Sequence, residues 1–169
     1  MRMRSREHMR YALALLMGLY SVVAFATLPL QATLEQLASD SDHILAGHVI
    51  GVDMIDADGN EMLDEKAMTG PGLRNTIRLI VKVDEVFFSR ANVVPDVIRV
   101  PLDPMMHFSL GQIREAHREP SEKRLVILKG GGFEPIVPGR FFRELSDTQE
   151  ALEIRARAQG SDRTMEPMR

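Results

Sequence analysis

The stretch "NTIRLIVKVDEVFF", residues 75–88, decides the fold. Ile77, Leu79, Val81 and Val83 alternate with Arg78, Lys82 and Asp84, a period of two. A segment of this kind buries one face and wets the other, as strands of antiparallel sheets do. Asp84 and Glu85 are neighbours on that strand and face opposite sides, so they cannot share a proton as a catalytic pair and read as a solvated strand end.

Working outward, "DVIRVPL" (96–102) repeats the alternation with Ile98, Val100 and Leu102, and Pro101 suits an edge or a strand end. On the other side, "HILAGHVIGVDMI" (43–55) is a long β-branched strand with glycines at 47 and 51, residues that mark bulges or bends in small barrels. "RLVILKGGGFEPIV" (124–137) reads as a hairpin turning at Gly130–Gly132, and "PGRFFREL" adds a last short strand. Thr33 and Gln36 make a capping box for a short helix before the first strand. In the charged excursion 108–123, Leu110, Ile113 and Ala116 mark a short helix that Pro120 ends. "SDTQEALEIRARA" is a C-terminal helix, capped by Ser146 with Gln149 or by Asp147 with Glu150. The expected class is mostly β: a small antiparallel OB-like barrel with a short N-terminal helix, an inserted helical excursion and a C-terminal helix.

The ends of the chain carry different signals. "MRMRSREHMR" holds four arginines, and no residue from Tyr11 to Leu34 is charged. Ala24-Phe25-Ala26 then offers small residues for cleavage. This is the pattern of a secretory signal peptide over residues 1–26. The uncharged run is also long enough to anchor in a bilayer if left uncleaved, and either way the rest is exported, to the periplasm or outside the cell. The organisation is then a β-barrel domain over 33–145, a helix over 146–159 and a disordered tail over 160–169.

Composition narrows the function. The 169 residues carry a net charge of −3, and removing residues 1–26 makes the remainder more acidic. That argues against nucleic acid, because phosphate contacts need a basic face. Cysteine is absent. An exported domain without disulfides stands on its apolar core, and thiol nucleophiles and thiolate metal sites are excluded.

The succession "TLEQLASDSDHILAGHVIGVD", "TIRLIVKVDEVFFS", "DVIRVPL", "RLVILKGGGFEPIV" resembles a widespread class of small exported bacterial β-domains, similar to OB-type or netrin-like barrels. The resemblance spans about residues 33–137 and implies a barrel without an assigned activity or defined functional residues. The chain departs from it at 103–123 and at Phe88-Ser89, where a Lys-Gly turn is usual in that class.

Two stretches contain metal-ligand side chains. In "IDADGNEMLDEK" (55–66), Asp56, Asp58, Asn60 and Asp64 take positions 1, 3, 5 and 9 of a calcium loop. Position 6 is Glu61 rather than glycine, position 12 is Ala67 rather than a bidentate glutamate, and "D-G-N" is also a common turn. In the insertion, Met105, Met106, His107 and His117 offer thioether and imidazole, the ligand types of copper and, for imidazole, zinc; His48 is a further imidazole. No spacing fixes these ligands, and methionine also fills irregular cores. No G-x-S-x-G motif occurs, and the Gly130–Gly132 run lacks the Lys-Ser/Thr ending of a phosphate loop. The reading is an exported, non-catalytic binding or accessory module for a protein or small ligand. A metal-binding protein is the alternative and a hydrolase the third; no cofactor is expected, and a membrane only if the leader stays uncleaved.

Overall fold

The computed structural model describes residues 32–164. The expected signal peptide, its cleavage point and the last residues of the expected tail, 165–169, lie outside the described residues. Helix α1 (Leu34–Ser39) leads into β1 (His43–Ile55), β2 (Thr76–Ser89) and β3 (Val97–Pro101). Then come α2 (Leu110–Ala116), β4 (Arg124–Leu128), β5 (Phe142–Arg143), a 3₁₀ turn (Leu145–Asp147) and α3 (Thr148–Thr164). The protein is mostly β, with one five-stranded antiparallel sheet in the order β3-β2-β1-β4-β5 and a few helices.

β2 buries alternate residues over 77–81, as its period of two predicts. Ile77, Leu79 and Val81 are buried, Lys82 is exposed, and Val83 packs partly buried against the same core. The glycines of β1 sit at irregularities in its pairing with β2: the register shifts between Ala46 and Gly47 and again between Val49 and Gly51. The second shift leaves Ile50 without a partner and exposed. Gly47 is also a place of close approach, because a Cβ there would lie 2.6 Å from the Lys82 carbonyl oxygen.

The sheet separates two cores. On one side, Leu45, Val49, Val52 and Met54 of β1 meet Leu79, Val81, Val100, Val126, Phe133 and Phe141, with Leu110 of α2 closing over them. On the other, α1 and α3 cover Ile44, Leu125 and Ile127 with Leu37, Ala38, Ala151 and Ile154. Burial on both faces explains why "RLVIL" reads as a continuous apolar run rather than an alternating one. The Thr33 capping box forms as expected, and Ser109 and Gln112 make a second one at α2.

Three local expectations need correction. The hairpin over 124–137 has no second strand: after the glycines there is one bridge, Lys129 with Glu134, and β4 instead pairs with Phe142–Arg143. Pro135 and Pro138 cannot donate to a ladder, which keeps the returning arm out of the sheet. Neither expected cap of the last helix forms; the 3₁₀ turn feeds into α3, and Thr148 Oγ1 donates to the Leu145 carbonyl. That helix also runs to Thr164 rather than stopping at 159, because Gly160 weakens a helix without ending it as proline would.

The sheet has two edges, β3 and β5, which do not pair with each other. Beyond Gly47, where β4 ends, the free side of β1 is taken up by the 108–123 excursion. Val49 N donates to Ser121 Oγ, Ser121 N donates to the Val49 carbonyl, and Arg114 Nε donates to the Val52 carbonyl.

Denaturant titration checks the register of β2. Val81→Ala is expected to cost about 1–3 kcal/mol through lost apolar burial and the cavity left behind, and Lys82→Ala to be nearly silent.

Candidate functional site

The end of the sheet where β1 finishes and β2 begins holds a pocket of about 500 Å³. Its floor is Ile55, Thr76, Arg78 and Arg99, and its walls include Pro101, Leu102, Pro104, Pro135, Pro138 and Glu134. These elements meet because Asp53, Arg78 and Arg99 share the sheet face opposite the apolar core. Asp53 stands across from Arg78, Arg78 across from Pro101, and Ile80 across from Arg99. The four prolines make stiff walls that present no backbone N–H.

The charged group beneath the pocket is closely tied. Arg78 grips Asp53 with two parallel hydrogen bonds, Nε to Oδ1 at 2.7 Å and Nη2 to Oδ2 at 2.8 Å. Arg99 adds Nε to Oδ2 at 2.8 Å. Burial alone would raise the pKa of the Asp53 carboxyl. The hydrogen bonds from Arg78 and Arg99 and the charges of both guanidiniums outweigh it and hold the group below the ordinary carboxylate range. Asp53 fixes both arginines through Nε, while the terminal amines of Arg99, a side chain 52% exposed, have no hydrogen-bond partner among the described residues. Those donors suit a carboxylate or another anionic oxygen.

The side chains singled out in the calcium-like loop form a turn. Asp56 Oδ1 accepts from the backbone N–H of Asp58 and of Asn60, and the Asn60 amide donates to the same carboxylate. Hydrogen bonds from the Asn60 side chain and backbone lower the pKa of Asp56. Asp64 accepts from Lys66 N in a second small turn, and Asp58 is exposed. In the insertion, Met105, Met106 and His107 are exposed, with the His107 ring lying against Gly70. His117 ends α2, its pKa lowered by burial. The two candidate loops are brought together, but through other atoms: Thr69 Oγ1 donates to the Met106 carbonyl, Thr69 N to the Phe108 carbonyl, and Gly111 N to the Glu65 carbonyl. Among the described residues no group of three or more His, Cys, Asp or Glu is placed to hold a metal ion.

Two histidines have defined partners. His48 Nδ1 lies 2.8 Å from Asp84 Oδ2, so Asp84 is a paired carboxylate rather than a bare strand end; the hydrogen bond lowers its pKa against a smaller opposing effect of burial. His43, buried at the start of β1, lies 2.9 Å from Ser89 Oγ through Nδ1 and 2.9 Å from the Gly130 carbonyl through Nε2. A carbonyl only accepts, so Nε2 carries a proton, and in the neutral ring Ser89 donates to Nδ1. Asp42 beside it pairs with Arg90 and accepts from Gly130 N. These contacts clasp the start of β1, the end of β2 and the turn after β4, and none of their side chains lines the pocket.

Sequence reasoning passed over Asp53, Arg78, Arg99 and Glu134. The available signal was an aspartate inside an otherwise apolar strand, followed by arginines at outward positions of the next two strands. No family model matches the chain, and no curated protein matches it.

The lowered pKa of Asp53 sets the sign of a pH effect. Its contribution to stability is complete above the unfolded-state value of about 4 and is lost as pH falls through the lower folded-state value. Acid titration of unfolding free energy is expected to show a steeper decline below about pH 4 in the native chain than in Asp53→Asn.

Proposed function

We propose that the chain is an exported, non-catalytic binding module whose ligand, a protein segment or a small molecule, occupies the proline-walled pocket. The observation that carries this reading is the pocket itself. Its volume of about 500 Å³ lies within the range of ligand sites, and its walls combine apolar surface with a few polar groups: Arg78 and Arg99, held by Asp53, and Glu134 and Thr76. Export is supported by the basic start, the uncharged run and Ala24-Phe25-Ala26.

We read the sheet as an open barrel of OB type. Three features support this: a long first strand paired on both sides, the strand order β3-β2-β1-β4-β5, and a helix between the third and fourth strands. The chain beyond β3 also touches the β4–β5 connection, since a Cβ on Gly139 would lie 3.8 Å from Asp103 Cβ. In such barrels the β1–β2 and β4–β5 loops flank the ligand face, and here Ile55, Thr76 and residues 132–138 take those places. The part-buried Ser89–His43 contact fits a structural clasp better than a nucleophile and its base, because the imidazole is oriented by a backbone carbonyl and neither side chain lines the pocket.

A fragment screen by ligand-observed NMR, followed by methyl shift mapping, tests the reading on protein purified from the exported fraction. Hits are expected to shift Ile55 and Leu102 and to weaken in Arg99→Ala. Hits confined to other surfaces overturn the site. Turnover of an ester panel that disappears in Ser89→Ala replaces the binding module with a hydrolase.

A further inference from the structure

The margin of β3 is bare in a regular way. Val83 N donates to the Asp96 carbonyl and Leu102 N donates to the Ile77 carbonyl. With the antiparallel register between β2 and β3, this turns the backbone groups of 96, 98, 100 and 102 toward β2. The N–H and C=O of Val97 and Arg99 and the C=O of Pro101 therefore point away from the sheet, and they have no hydrogen-bond partner among the described residues. Groups on alternate residues recur every 6 to 7 Å or so, the repeat that a neighbouring strand presents. β5 faces outward in the same manner at Phe142, because the hydrogen bond from Ile127 N to the Phe141 carbonyl turns the Phe142 groups away from β4.

We propose that the outer edge of β3 receives an extended segment of a partner polypeptide as an added strand, with an apolar side chain of the segment entering the proline-walled pocket and an acidic one meeting Arg99. The proposal deepens the binding-module reading and rests on it. The backbone edge says what kind of chain fits, since only a strand satisfies donors and acceptors at this spacing. The pocket continues that edge, being lined by Arg99, Pro101, Leu102 and Pro104. Gly132, Glu134, Pro135 and Pro138 line the same pocket from the connection after β4. The charge preference follows from the unused terminal amines of Arg99, with Arg78 beside it and Lys82 farther along the same sheet face.

The test uses the full chain from the exported fraction and a phage-displayed random peptide library. Enriched peptides are expected to combine apolar residues with an acidic one. Their binding should slow amide exchange at Val97 and Arg99, which exchange freely before binding, while Ile98 and Val100 are protected throughout. Val97→Pro removes an outward donor without removing a bond to β2, and it is expected to weaken binding about tenfold. N-methylation of the peptide at alternate residues reads the same bonds without altering the protein. Failure to enrich any peptide overturns the proposal, as does a dimer that buries β3. Peptides that bind with Val97 and Arg99 exchange unchanged, and equally well to Val97→Pro, overturn strand addition while leaving the pocket reading standing.

Discussion

The fold depends on one strand serving two neighbours. Residues 43–47 of β1 pair with β2 on one side and β4 on the other, and from there to Ile55 the strand continues with β2 alone. A strand of 13 residues does this only by changing direction along its length, and bulges with glycine are the usual means. At Gly47 the backbone of β1 comes so near the Lys82 carbonyl that no side chain fits. At Gly51 the demand is milder, because a Cβ would make ordinary contact with Ile80 at 3.5 Å. The bend at Gly47 thus coincides with the point where β4 ends and the 108–123 excursion takes over the free side of β1.

The remaining architecture follows from that bend. The clasp of Asp42, His43, Ser89, Arg90 and Gly130 fixes the first end of β1 between two strand ends. The second end, reached after the bulges, carries Asp53 and Ile55 to the pocket. There one buried carboxylate holds two arginines from successive strands and stays ionised because both donate to it. The sheet remains open between β3 and β5, which are its two edge strands.

Much of the sheet was legible because its signals are local. Alternation set the faces of 77–83, glycines marked the bulges of β1, and Thr33-Gln36 capped α1 as written. The glycine turn at 130–132 does not lead into a hairpin, because the two prolines beyond it keep the returning arm from donating to β4. The Asp53 cluster was not legible because its members are 25 and 46 residues apart and meet only through strand register. Each arginine taken alone is an ordinary wet-face residue. The Asp56 loop is the opposite case: its D-G-N turn signal is local, and its carboxylate and amide, close in sequence, satisfy one another.

The most direct measure of the account is the unfolding free energy of Gly47→Ala against Gly51→Ala, taken by denaturant titration. Crowding against the Lys82 carbonyl predicts a loss of about 3 kcal/mol or more at position 47, and a change within about 1 kcal/mol at position 51, where a methyl group has room. Equal effects at the two positions would contradict the claim that the close approach at Gly47 lets one strand serve both sides of the sheet.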